Sequence, residues 1–191
     1  MASILENALR LRRAGKNEEA LALLRALLAA TPGNAQILFH TASVLDGLGR
    51  EAEAVPLYVA AMTNGLSGAE LRAAYVGLGS SYRVLGKYDE SKRVLEEGLQ
   101  KFPQAHEIRV FLAMTLHSLQ QDPESTSRLL QVIADTATDA QVKAYEPAIR
   151  FYAENLLRQA NRGPGTADGK RVTGKDRPGK ISARKKPDSC R

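Results

Sequence analysis

Tryptophan is absent from this 191-residue chain, and tyrosine and phenylalanine supply only six and four residues. A core with so few rings must be aliphatic, and leucine and alanine, both strong helix formers, dominate the apolar residues. The single cysteine, Cys190, has no second thiol to meet, which excludes an intramolecular disulfide. No stretch approaches the ~18–20 uninterrupted apolar residues of a membrane span. Residues 1–13 mix Glu6, Arg10, Arg12 and Arg13 into an amphipathic pattern, without the apolar block and small-residue cleavage site of a secretory signal. A cytoplasmic location without membrane contact is the expectation.

Catalytic chemistry is equally sparse. His40, His106 and His117 stand apart, with no second histidine or cysteine at metal-ligand spacing. A glycine-rich phosphate loop, an H-E-x-x-H pair and a nucleophile elbow are all missing. The acid pairs Glu18-Glu19, Asp89-Glu90 and Glu96-Glu97 suit helix N-termini or solvated faces. No catalytic residue, metal or cofactor is predicted.

Charge is unevenly distributed. Of the 27 basic and 21 acidic residues, ten and three lie between Asn161 and Arg191, leaving 17 and 18 in residues 1–160. The tail is therefore net +7 and the remainder net −1. Within the tail, Gly-Pro-Gly and Arg-Pro-Gly-Lys alternate breakers with charge, and Val172 and Ile181 are the only large aliphatic residues. Such a segment cannot bury enough surface to offset ordering its backbone, so 161–191 is predicted to be a disordered basic tail. Basic segments attract polyanions by counterion release. With no aromatic side chain to stack on bases, a nucleic-acid contact there is expected to be non-specific, and a purely solubilising tail is the simpler reading.

What is present is a period. Gly15, Gly49, Gly86 and Gln120 each follow a helical pattern, at spacings of 34, 37 and 34 residues. Small and large residues recur in step with them: Ala8, Leu11, Ala20 and Leu24; Leu38, Ala42, Leu45, Ala54 and Tyr58; Tyr75, Leu78, Gly79, Tyr82, Ser91, Leu95 and Gly98; Leu112, Ala113, Leu116, Ser125 and Leu129. Pairs of antiparallel helices pack closely where a small side chain faces a large one, and each pair must stack on the next to hide its remaining apolar face. The units span about 1–34, 35–68, 72–105 and 106–138. Ser67-Gly68-Ala69-Glu70 reads as a capping box that starts the third unit a turn early. Asp122-Pro123 reads as an N-cap followed by proline. Pro56 should kink its helix. Gln120, lacking glycine's freedom, should cost ~1 kcal/mol in a left-handed turn. Beyond them, Asp139 could cap a helix over about 139–160, bent at Pro147, whose stripe of Val142, Tyr145, Ile149, Tyr152 and Leu156 would close the stack.

A 34-residue helix–turn–helix period, with Tyr75, Leu78, Gly79 and Tyr82 in a W-x2-L-G-x2-Y arrangement, resembles the tetratricopeptide repeat. The stretch from Gly65 to Tyr88 is similar to small bacterial stand-alone members, sometimes grouped as tetratricopeptide repeat group 5. The resemblance implies an all-α, right-handed superhelix of about four repeats plus a capping helix, whose concave groove holds a peptide or a partner's surface. It implies a non-catalytic interaction scaffold rather than an enzyme. The alternative is a polyanion-associated protein that makes its contact through the tail.

In the family the groove is lined by the first helices. Opposite their packed faces lie Leu5, Leu9 and Arg12; Phe39, Ser43 and Asp46; Val76, Ser80 and Arg83; and Val110, Met114 and His117. This wall is apolar with isolated basic groups, and suits a segment presenting aliphatic side chains and a carboxylate. The alternative occupant is the C-terminal helix folded back. Relatives that grip chaperone C-termini carry several Lys, Arg and Asn residues on the wall. Leu5, Leu9, His40, Ala73 and Gly77 stand there in one register, and Phe39, Ser43, Gly77, Glu107 and Phe111 in the next, so that clamp is not expected. Exposed apolar surface on the first helix pair leaves both a monomer and a homodimer open.

Overall fold

The computed structural model describes residues 2–160, all of whose regular elements are α-helices. Residues 161–191, with the disorder and polyanion contact predicted for them, lie outside the described residues. Helix α1 (Ala2–Arg13) pairs with α2 (Asn17–Ala30), and α3 (Ala35–Gly47) with α4 (Glu51–Thr63). Likewise α5 (Gly68–Val84) pairs with α6 (Tyr88–Lys101), and α7 (His106–Ser118) with α8 (Asp122–Thr136). Each second helix packs on the next first helix, and the first helices also touch in sequence, α1 on α3, α3 on α5 and α5 on α7. This is the connectivity of an all-α tetratricopeptide-type solenoid.

The four turns close alike. Gly15, Gly49 and Gly86 take φ of 75°, 72° and 73°, and Gln120 takes 59°. The amides of Lys16, Arg50, Lys87 and Gln121 reach back five residues to the carbonyls of Leu11, Leu45, Tyr82 and Leu116 at 2.8–2.9 Å. Such bonds satisfy carbonyls that a helix end would otherwise leave unpaired.

The helices of each pair cross at small residues. Ala8, Ala42, Gly79 and Ala113 on the first helices and Ala20, Ala54, Ser91 and Ser125 on the second are all buried. In the third pair the Ser91 hydroxyl donates to the Gly79 carbonyl, and in the fourth Ser125 donates to Ala113, both at 2.7 Å. Twelve residues separate the partners in both cases. Small faces large at this crossing, as expected: a Cβ on Gly79 would lie 2.6 Å from Leu95 Cγ, and Leu24 and Tyr58 of the other second helices are likewise buried.

Several local expectations need correction. Ser67 does sit at the N-cap of α5 with extended backbone, but its side chain caps nothing. Glu70, the other half of the predicted box, instead meets His40 Nε2 at 3.2 Å and Gln36 at 3.1 Å on the preceding repeat. The N-cap of α8 is Gln121 rather than Asp122; the Asp122 carboxylate is engaged by His117 Nδ1 at 2.7 Å. Helix α4 is continuous through Pro56, so the proline does not end the helix, and the expected kink is not contradicted.

Asp139 caps as expected, accepting from the amides of Gln141 and Val142 at 2.9 and 3.0 Å. The helix it starts is short: α9 (Ala140–Ala144) stops at Tyr145 and α10 (Glu146–Ala160) begins anew. Pro147 has no amide for the Lys143 carbonyl and its ring would strike that group, so the chain restarts instead of bending. Helix α10 packs on α8 and α9. Ala153 is buried there, and its carbonyl accepts from the Ser127 hydroxyl at 2.7 Å.

Candidate functional site

The wall residues fall in three tiers set by their distance from the turn. Ten positions before it stand Leu5, Phe39, Val76 and Val110; six before, Leu9, Ser43, Ser80 and Met114; three before, Arg12, Asp46, Arg83 and His117. Steps of four and three residues keep each set on one helix face. The tier farthest from the turns is wholly apolar, and the nearest one is polar.

Arg12, Phe39, Ser43, Asp46 and Val76 converge on one cleft of about 650 Å³. Of the other lining groups, Ala73 and Gly77 of α5 and Glu107 of α7 entered the sequence reading only as wall positions of the clamp registers, and Ala69 and Arg72 of α5 and Tyr58 of α4 were missed. Continuing the α5 stripe a turn or two towards its N-terminus finds Ala69, Arg72 and Ala73. Tyr58 belongs to a second helix and reaches the cleft only because Gly77 has no side chain; a Cβ there would overlap the phenol ring.

Electrostatically the cleft is asymmetric. Arg12 Nη2 donates to the Ser43 hydroxyl at 2.5 Å rather than to a carboxylate. Asp46 accepts from Ser81 at 2.9 Å. Burial pushes the Asp46 pKa up, and the Ser81 bond and the Arg12 charge only partly oppose it. Burial, reinforced by the Asp46 charge, raises the Tyr58 pKa well above the ordinary phenol range, so its hydroxyl stays protonated. On the far side Arg72 and Glu107 form an ion pair, and that bond holds Glu107 below the usual carboxylate range.

The remaining wall residues lie beyond this cleft. Leu5 and Leu9 are half-buried, and Leu5 packs on the core. Ser80 and Arg83 continue the α5 face, and the buried Nε of Arg83 has no hydrogen-bond partner among the described residues. Val110 is half-buried, Met114 is 40% exposed, and His117 is exposed beside Asp122. Phe39 is only 6% exposed, with its ring centroid 6.2 Å from that of Tyr58 and 5.0 Å from that of His40. It forms the floor of the cleft rather than a projecting anchor. The packing partners of α10 are α8 and α9, so the wall of α1, α3 and α5 is not where that helix lies. Among the described residues no three His, Cys, Asp or Glu side chains gather in a metal-binding group, and no helix is long and apolar enough to cross a membrane.

Residues 35–156 match the family model described as tetratrico peptide repeat. No curated protein matches the chain in sequence. Among solved structures it resembles MamA (16% identity, TM-score 0.61, 80% of this chain and 91% of that one). It is also similar to YrrB, described as a TPR protein with an unusual peptide-binding site (19%, 0.59, 85% and 86%). A third likeness is to PilF of Pseudomonas aeruginosa (16%, 0.59, 84% and 69%). At these identities the likeness is one of fold, and the fold is in general that of protein–protein interaction scaffolds. The family match covers well over half of the sequence, and the chain belongs to the tetratricopeptide repeat family.

Proposed function

We propose that the chain is a non-catalytic scaffold that holds an extended segment of a partner protein across the concave wall of its first helices. The observation that carries this reading is Arg12. It is a half-buried cation whose hydrogen-bond partner is a hydroxyl, at the edge of a cleft floored by Phe39, Val76 and Ala73. A carboxylate on the ligand would complete its pairing in a partly desolvated setting, where charge-assisted bonds are strong.

The spacing of the tiers sets the shape of the ligand. Neighbouring helices pack ~8–10 Å apart, and an extended chain rises ~3.3 Å per residue. A segment running across the wall therefore meets a new helix about every third residue. Aliphatic side chains at that interval lie along the Phe39–Val76–Val110 tier. Arg12 and Arg83 stand two first helices apart, which corresponds to acidic residues about six positions apart in the ligand. The fold likeness to YrrB, a protein described as binding peptide, supports the same reading.

The test is affinity purification with three forms of the protein: the full chain, the Arg12→Glu/Arg83→Glu variant, and a form lacking residues 161–191. Partners should be lost from the wall variant and kept by the tail deletion. An unchanged set on the wall variant would refute the groove. Loss on tail deletion alone, with low-salt retention of the full chain on nucleic acid, would favour polyanion binding through the tail.

A further inference from the structure

Helix α5 has a second flank that borders a hollow. Leu71, Tyr75 and Leu78 point away from the concave cleft and floor this hollow, of about 350 Å³, between α4 and α6. Val59 and Met62 wall it on one side and Val94 on the other, with Arg93, Glu97 and Lys101 along the α6 rim.

Two independent observations set this junction apart. Other neighbouring second helices are tied together. Arg25 of α2 donates to Glu53 of α4 at 3.3 Å, and Lys92 of α6 donates to Gln121 at the start of α8 at 3.2 Å. Between α4 and α6 there is no side-chain hydrogen bond or ion pair among the described residues. The junction also contains the 37-residue spacing. Gly65 and Gly68, with φ of 90° and 60°, turn the chain so that Leu66, 5% exposed, plugs the base of the hollow. The second observation is charge. Neither Arg93 nor Lys101 forms an ion pair among the described residues, while Glu97 between them accepts from the Tyr75 hydroxyl at 2.8 Å. Val59 on the opposite wall is 43% exposed.

We propose that this hollow is a second binding site, which takes an extended acidic–aliphatic segment of a partner protein independently of the concave wall. An aliphatic side chain enters between Val59 and Val94, and two carboxylates meet Arg93 and Lys101. The cations are eight residues apart on one helix, about 12 Å at 1.5 Å per residue. An extended ligand covers that distance in about four residues at ~3.3 Å each. Glu97 repels an acid placed midway, so the pattern selected is acid, three neutral or apolar residues, acid.

The probe is a fluorescein-labelled peptide, Gly-Glu-Ala-Leu-Ala-Glu-Gly, followed by fluorescence anisotropy on the full chain at low salt. Binding should be saturable and absent for the version with Lys in place of both Glu residues. Arg93→Glu/Lys101→Glu, two exposed substitutions whose folding circular dichroism can verify, should weaken binding about tenfold or more, as reversing two rim charges requires. The same variant should gain binding of the Lys peptide. Arg12→Glu/Arg83→Glu should leave binding unchanged, which separates this site from the concave one. No binding at millimolar peptide, equal binding by the Arg93→Glu/Lys101→Glu variant, or loss in the Arg12→Glu/Arg83→Glu variant would each overturn the proposal.

Discussion

The ring of Tyr58 rests against the backbone of Gly77: a methyl group built on that glycine would lie 2.5 Å from the phenol Cζ. Tyr58 is 2% exposed and its ring meets Phe39, so it has no room to retreat. Gly77→Ala should therefore lower stability even though alanine gains ~1 kcal/mol of helix propensity over glycine. Overpacking costs ~1–3 kcal/mol, and a net loss of roughly 1–2 kcal/mol is expected. Urea denaturation would measure it, and an unchanged midpoint would show that the ring moves freely.

Gln120 holds φ of 59° where the other three turns use glycine. A side chain in the left-handed region costs ~1–2 kcal/mol. Gln120→Gly should raise stability by ~1 kcal/mol, part of the gain being lost to the greater freedom of glycine in the unfolded chain. A rise in the thermal midpoint would show it; a fall would mean that the Gln side chain contributes more than the turn strain costs.

Ser91 bonds both the Gly79 carbonyl at 2.7 Å and Thr115 Oγ1 at 2.9 Å, whereas the equivalent Ser125 is bonded to Ala113. Ser91→Ala should cost about 1–2 kcal/mol and Ser125→Ala about half as much, at ~1 kcal/mol per buried hydrogen bond. Paired denaturation curves test the order. Equal losses would remove Thr115 from the account.

His40 is buried between α3 and α5, with Nε2 at 3.2 Å from Glu70 and Nδ1 unpartnered. Burial lowers its pKa despite the opposing Glu70 charge, and Arg12 acts in the same direction as burial. The unfolded chain, with an ordinary pKa of roughly 6.5, then takes up a proton at higher pH than the folded one. The neutral imidazole's contribution is complete above that value and is lost as pH falls below it towards the folded pKa. Denaturation midpoints from about pH 7.5 down to 5.5 should decline in the native chain and decline less in His40→Gln. A parallel decline would assign the effect to other groups.

The fold was legible because its determinants are local and periodic. Gly15, Gly49 and Gly86 mark turns by a backbone need that the sequence states directly, and buried Ala20, Ala54, Ser91 and Ser125 recur in phase with them. The candidate cleft was legible only in part. Arg12, Ser43 and Val76 follow from the helical wheel, but Tyr58 enters from another helix through a gap at Gly77, a contact no spacing encodes. The partners of Glu70 and Asp122 were misread for the same reason. Both carboxylates fit capping patterns, yet Glu70 is engaged by His40 and Gln36 of another repeat, and Asp122 by His117 across the turn.

The most direct measurement places a photo-crosslinking residue at Ser80, half-buried on the α5 wall, and in a separate protein at Ala52, exposed on α4. With a partner identified by affinity purification, ultraviolet irradiation of the two complexes compares the surfaces. A cross-link from Ser80 and none from Ala52 is the predicted result. A cross-link from Ala52 with none from Ser80 would contradict a partner held across the first helices.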